Sequence, residues 1–395
     1  MHDFLLTFTV CLALAFVISE VFHRFRYPRI LGQIIAGIVL GLPILHDLVF
    51  TPDTLTYISF LSQLGIIFLL LLAGLEIDYR RLMEVSREAV LVAVFSAAIP
   101  FAMGFLLMKL FGYSDVLALI VGGCLAVTAE ATKVKVLMDF KVLDTKLGAI
   151  MLAAGAIDDI LEIILLSMVL VLVQTEGALG LSQLITLPLE ILLFIALVYL
   201  FFKSFPWIAR YMQRTSELGA FSISIILGLC VVMLSEFLGL GPVIGALVAG
   251  LILRVSIRAK EERKIAKDLR IAAFGLIVPF FFIWIGMQFD VNALFMYPVL
   301  VLLITLIATI GKLLGSIIVK FFSKLSLKQT ALIGWGMNSR GAVELVIASA
   351  AYPVFVRENA VEIFSAVVIM AIITTMIFPV MLKHELKKNP LVMDD

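Results

Sequence analysis

Apolar runs of about bilayer length follow one another along nearly the whole chain, separated by short polar stretches. They fall at 4–22, 30–46, 57–77, 89–111, 115–137, 146–173, 184–203, 218–237, 242–256, 270–289, 297–320, 328–354 and 361–382. Pro28, Pro43, Pro206, Pro242 and Pro298 mark several of the ends, where a missing N–H and a fixed φ are tolerated. The pattern predicts an all-α polytopic membrane protein with about 13 transmembrane helices.

Composition narrows the class. Of 395 residues, 63% are hydrophobic and only 15% are charged, which excludes a soluble globular domain. Cys11, Cys124 and Cys230 lie in apolar runs without metal-ligand spacing and read as packing residues. The first run has no basic residue before it and three arginines after it, the wrong polarity for a cleaved leader. No phosphate loop, nucleophile elbow, zinc spacing or dinucleotide fingerprint stands in a usable context, so neither an enzyme nor a nucleic-acid binder is expected.

Charge is near balance overall (+1) but uneven along the chain. Of 30 Lys and Arg, 26 fall in alternate loops and the C-terminal tail, Lys109 and Arg357 fall in the others, and Lys312 and Arg340 lie inside spans. The positive-inside rule then places the C-terminus in the cytoplasm and the N-terminus outside, in the cell membrane. The basic stretch Arg254–Arg270 reads as an amphipathic, lipid-facing cytoplasmic element.

A repeat is visible. Gly32–Gly37 (GQIIAG) returns as Gly245–Gly250 (GALVAG), 213 residues on, and Gly74–Asp78 (GLEID) returns as Gly286–Asp290 (GMQFD), 212 residues on. The offset covers seven spans, an odd number, so the copies have opposite orientation. Inverted six-helix repeats point to a transporter with its site at mid-membrane. Glycines at Gly32/Gly37 and Gly311/Gly315 also read as close helix contacts.

The same offset picks out two interruptions. Thr128-Ala129-Glu130-Ala131-Thr132 breaks the fifth run, and Gly336 to Glu344, including Asn338 and Arg340, breaks the twelfth. Unwound backbone at this depth must be buried in protein or line a wet cavity. Two crossed broken helices would aim opposite dipole ends at one place.

The chemistry sits in the sixth run. Asp158 and Asp159 stand near the middle of an otherwise apolar stretch, where an acid costs roughly 2.5–3.5 kcal/mol and ordinarily lines an ion or proton path. Adjacent on a helix, they lie about 100° apart and cannot face one cavity equally. Glu162 adjoins them one turn on. Lys312, too deep to reach water, needs a partner, and Asp158 is the one expected. Arg340 is expected to pair with Glu130 or with Glu344; a static bridge and a transport role are both open for these three. Glu20, Glu76, Asp78, Glu190, Glu217, Glu236 and Asp290 read as interfacial.

These residues also carry a resemblance. YPRILGQIIAGIVLGLP, FLLLLAGLEID, AAGAIDDI, LGPVIGALVAGLIL, VPFFFIWIGMQFD and TIGKLLGS together resemble the monovalent cation:proton antiporter-2 family, over essentially the whole chain. The resemblance implies Na+ (Li+) for H+ exchange with no resident cofactor, Na+ or Li+ and H+ being substrates. It implies a homodimer of two-part protomers working by an elevator-like movement. Asp159 would carry cation and proton, Asp158 would be salt-bridged to Lys312, and Thr128 and Thr132 would lie in the first broken helix. The domains expected are 1–88 and 205–296 for dimerisation, 89–173 and 297–382 for the transport core, 174–204 as a linker helix and 383–395 as a cytoplasmic tail. Two departures stand out. Glu130 occupies a position where electroneutral relatives carry Thr-Asp-Pro. The Asp-Asp pair and an end at Asp395 differ from potassium efflux relatives, which carry Gln-Asp and an appended nucleotide-binding domain. K+/H+ antiport or a gated K+ efflux system is the alternative.

Overall fold

The computed structural model describes residues 2–25, 27–76, 86–128, 133–134, 137, 145–174, 217–238, 240–256 and 259–388. Among these residues all regular structure is helical. Among the described residues six helical stretches are long and apolar enough to cross a membrane, and the protein is a multi-pass membrane protein. The run at 184–203 lies outside the described residues.

In chain order the α-helices among the described residues are α1 (His2–Arg24), α2 (Arg29–Leu40), α3 (Pro43–Val49), α4 (Pro52–Glu76), α5 (Arg87–Leu110) and α6 (Asp115–Ala126). Then come α7 (Lys146–Gln174), α8 (Glu217–Phe237), α9 (Pro242–Ser256), α10 (Ala259–Ala272), α11 (Val278–Met287), α12 (Asn292–Met296) and α13 (Pro298–Ile318). The last are α14 (Leu327–Gly336), α15 (Val343–Ala350), α16 (Tyr352–Arg357) and α17 (Val361–Lys388).

Two compact units share the chain. The first takes its residues from Met1–Val21, Gly32–Ile77 and Gly177–Met287. Its glycines decide how closely its helices approach. A Cβ on Gly74 of α4 would stand 3.0 Å from Gly250 Cα of α9, and one on Gly250 would stand 2.9 Å from Gly74 Cα. Likewise a Cβ on Gly286 of α11 would stand 2.8 Å from the carbonyl carbon of Gly37 in α2. Real side chains do not fit there, so backbone meets backbone, the packing that small residues permit in membranes. The run expected at 30–46 is not one straight helix. Leu42 precedes Pro43, which disfavours the α conformation, and Leu42 is extended (φ −65, ψ 137). α2 and α3 consequently meet at 88°.

The second unit takes Phe22–Leu31, Asp78–Glu176 and Gln288–Asp395. Ser86 and Ser114 cap α5 and α6 by accepting from Ala89 N–H and Leu117 N–H, and Ser326 forms a capping box with Gln329 at the start of α14. Leu147, Ile150, Met151 and Ala154 of α7 join Ile333 and Met337 in the core, with Ala89 and Val92 of α5 and Phe378 and Leu382 of α17. Gly311 and Gly315 let α13 lie against Pro100, Phe95 and Ser96 of α5.

Two of the long apolar runs stop partway. α6 ends at Ala126, and Val127 is extended (φ −72, ψ 159). The run at 328–354 is split into α14 and α15 by the non-helical stretch 337–342. Both interruptions lie in the second unit, as does α7 with its acids.

Candidate functional site

A helix that stops inside a buried region leaves its last carbonyls without intrahelical donors. At the end of α6 those carbonyls belong to Cys124, Leu125 and Ala126, with Val127 beyond them. Arg340, fully buried in the second interruption, takes three. Its Nη1 donates to Cys124 O at 3.1 Å and to Val127 O at 2.6 Å, and its Nη2 to Leu125 O at 2.7 Å. Nη2 also reaches Ala308 O of α13 at 3.3 Å. Lys312, equally buried, donates to the fourth, Ala126 O. Two cations thus close the negative end of one helix dipole, where positive charge is favoured.

Lys312 has further partners. Its Nζ donates to Thr128 Oγ1 at 2.5 Å and lies 3.4 Å from Asp158 Oδ2. Thr128 ties the interruptions together: its hydroxyl donates to Met337 O at 3.4 Å, and its N–H donates to Glu162 Oε1 at 2.7 Å. Asp158 and Glu162 stand one turn apart on α7, only 1% and 6% exposed, so both acids face into this protein-lined region. Asp159 is half-buried beside them. The 100° between neighbours on a helix accounts for the unequal burial of the two aspartates.

The structure therefore brings together Asp158, Thr128, Lys312, Arg340 and Glu344 in one unit, with Asp159 on the same helix as Asp158. Glu130 and Thr132 lie outside the described residues. Of the two partners expected for Arg340, Glu130 lies outside the described residues, so only Glu344 can be compared. Arg340 makes no ion pair with Glu344 among the described residues; its guanidinium is occupied by backbone carbonyls. Glu344 turns back along its own chain, its Oε1 accepting from Gly341 N–H at 2.9 Å just before α15 begins. That is a first-turn carboxylate reaching back to an N–H just before its helix, as in one half of a capping box, beside the positive end of the helix dipole.

Lys133, one of the 26 cations that the charge pattern assigns to loops and tail, is completely buried, with Nζ donating to Met151 O of α7 at 2.9 Å and lying 3.6 Å from Met337 Sδ. The available signal was its place inside the run at 115–137, directly after the polar interruption. Glu162 does more than adjoin the aspartates: its bond to the Thr128 amide links α7 to the end of α6.

Several buried polar atoms have no hydrogen-bond partner among the described residues: Asp158 Oδ1, Asn338 Oδ1, Glu344 Oε2, Arg340 Nε and Ser316 Oγ. Buried polar groups are rarely left so, and such exceptions call for a ligand, a water or a functional reason. Three are acceptor oxygens of the kind a hard monovalent ion or a proton would engage.

Known proteins resemble this chain in sequence and in fold. Residues 10–388 match the family described as "Sodium/hydrogen exchanger, transmembrane". A Na+/H+ antiporter of Enterococcus hirae is 30% identical over 378 residues, covering 94% of each chain. The Na+/H+-K+ antiporter GerN of Bacillus cereus is 30% identical, over 91% of this chain and 90% of its own. The solved structure of the sodium proton antiporter MjNhaP1 from Methanocaldococcus jannaschii superposes with a TM-score of 0.68, covering 96% of this chain and 95% of that one, at 15% identity. These proteins are transporters rather than enzymes. With all but its ends matched, the chain belongs to the sodium/hydrogen exchanger family.

Proposed function

We propose that this protein exchanges Na+ for H+ across the membrane through the carboxylates of α7. The observation that carries this reading is the buried junction of Asp158, Thr128 and Lys312, set where two interrupted helices meet. Acids inside the membrane are costly and ordinarily mark an ion or proton path, and these stand beside freed backbone and a hydroxyl. Antiport needs only exclusion: the site holds a cation or protons, not both. Asp159 is the carrier acid and Asp158 its partner. Thr128, Thr132 and Glu130 complete the region of the first interruption, with Arg340 and Glu344 holding the second. Either occupied state is neutral enough to move, whereas a bare charge in apolar surroundings is expensive. No resident cofactor takes part.

Cation entry at Asp158 displaces Lys312, which then gives up a proton, so two protons move per cation and exchange is electrogenic. Li+ substitutes for Na+. A second reading, K+ as an additional substrate, is favoured by the name of the Bacillus cereus relative.

The second unit is the moving body of an elevator-type cycle and the first unit is the dimerisation part, in a homodimer in the cell membrane with about 13 helices. The N-terminus lies outside and the C-terminus in the cytoplasm. The glycine contacts support an inverted repeat: Gly37 of the first copy meets Gly286 of the second, and Gly250 of the second meets Gly74 of the first. A pseudo-two-fold relation produces such reciprocal pairing. The test is Asp159→Asn in proteoliposomes. Loss of pH-gradient-driven 22Na+ uptake is expected; retained uptake overturns the carrier assignment.

A further inference from the structure

The described residues hold a buried neutral oxygen that the exchange scheme leaves unused. Asn338 is 2% exposed. Its Nδ2 donates to Thr309 O of α13 at 2.9 Å, one turn before Lys312. Because a carbonyl can only accept, that bond fixes which end of the amide is nitrogen and sets Oδ1 on the other side. Oδ1 has no hydrogen-bond partner among the described residues. Asn338 also stands between two anchors to α6. Met337 O accepts from Thr128 Oγ1, and Arg340 holds the carbonyls of Cys124, Leu125 and Val127. Another bare acceptor of the same unit, Asp158 Oδ1, belongs to the residue that Lys312 touches. The interruption at 337–342 thus carries one buried amide oxygen, on a stretch tied through Met337 to Thr128, itself a partner of Lys312.

An amide oxygen differs from a carboxylate in one useful way. It coordinates a hard cation, which wants several oxygens, yet it binds no proton in the working pH range. Placed at a site where the two compete, it stabilises the cation-bound state alone. Resting on the exchange reading above, we propose that Asn338 Oδ1 is a ligand of the transported monovalent cation and sets its affinity against that of the proton.

The experiment compares wild type with Asn338→Ala and Asn338→Ser. Na+ binding to detergent-purified protein is followed by isothermal titration, and proton uptake by acid titration without Na+. In Asn338→Ala the Na+ dissociation constant should rise roughly 10–100-fold, the scale of losing a well-placed metal-site interaction. The cation-free proton titration should stay at its wild-type midpoint. Asn338→Ser, which keeps a shorter oxygen, should fall between and preserves the test if the alanine variant does not fold. Unchanged Na+ affinity in a folded variant overturns the proposal. A parallel shift of Na+ affinity and proton midpoint also overturns it, since that marks general damage to the site. If wild type itself shows no Na+-coupled proton release, the exchange reading fails instead, and the two failures are told apart.

Discussion

Lys312 Nζ stands nearer to Thr128 Oγ1, at 2.5 Å, than to Asp158 Oδ2, at 3.4 Å. It also donates to Ala126 O at the end of α6. A charged ammonium has three N–H donors, and here it has three partners: a carboxylate, a hydroxyl and a helix-end carbonyl. A neutral amine keeps two donors, enough for the hydroxyl and the carbonyl. Loss of one proton therefore costs Lys312 one partner, and Asp158 is the one whose loss a cation can make good. The helix end stays capped in both states.

This donor arithmetic predicts the effect of Lys312→Gln. The glutamine amide offers two donors and no titratable proton. Exchange in proteoliposomes should lose its dependence on membrane voltage. Rates that respond to imposed voltage as strongly as wild type would remove Lys312 from the proton count.

Arg340 is predicted to be structural in a way lysine cannot replace. Its planar fork serves four carbonyls from two nitrogens, whereas an ammonium is a single point of donation. Each buried carbonyl left without a donor costs about 1–3 kcal/mol. Arg340→Lys should lower the thermal unfolding midpoint of detergent-solubilised protein well below that of Lys312→Gln. Equal midpoints would contradict the assignment.

The reciprocal glycine contacts carry a further prediction. Gly74→Ala or Gly250→Ala sets a methyl against backbone of the facing helix, with no flexible side chain to yield. Overpacking of this kind costs about 1–3 kcal/mol. Each change should reduce thermal stability, while Gly275→Ala, where a Cβ would meet nothing within 4 Å, should not be destabilised by such a clash. Stability unchanged in all three would mean that α4 and α9 do not meet as described.

The sequence showed the acids and the lysine because charge inside an apolar run is conspicuous, and Lys312 had few deep acids to meet. It showed where the helices stop because polar residues interrupt two runs at one offset. It could not show what Arg340 holds. Backbone carbonyls exist at every residue and carry no letter, whereas the acids Glu344 and Glu130, the latter outside the described residues, are conspicuous as countercharges. Lys133 was missed for a related reason. Followed by Lys135 at the edge of its run, it resembles a solvated loop, and only folding reveals that Met151 and Met337 enclose it. The bend after α2 was written in Leu42-Pro43, but the apolar run continues through it and concealed the turn.

The most direct measurement is the Na+ affinity of purified protein as a function of pH. Competition at one acid predicts a dissociation constant that rises about tenfold per unit as pH falls below the site's titration range, and more steeply where two protons are displaced. Above that range it should level off. An affinity for Na+ that stays constant from acid to alkaline pH would contradict proton–cation exclusion at Asp158 and Asp159.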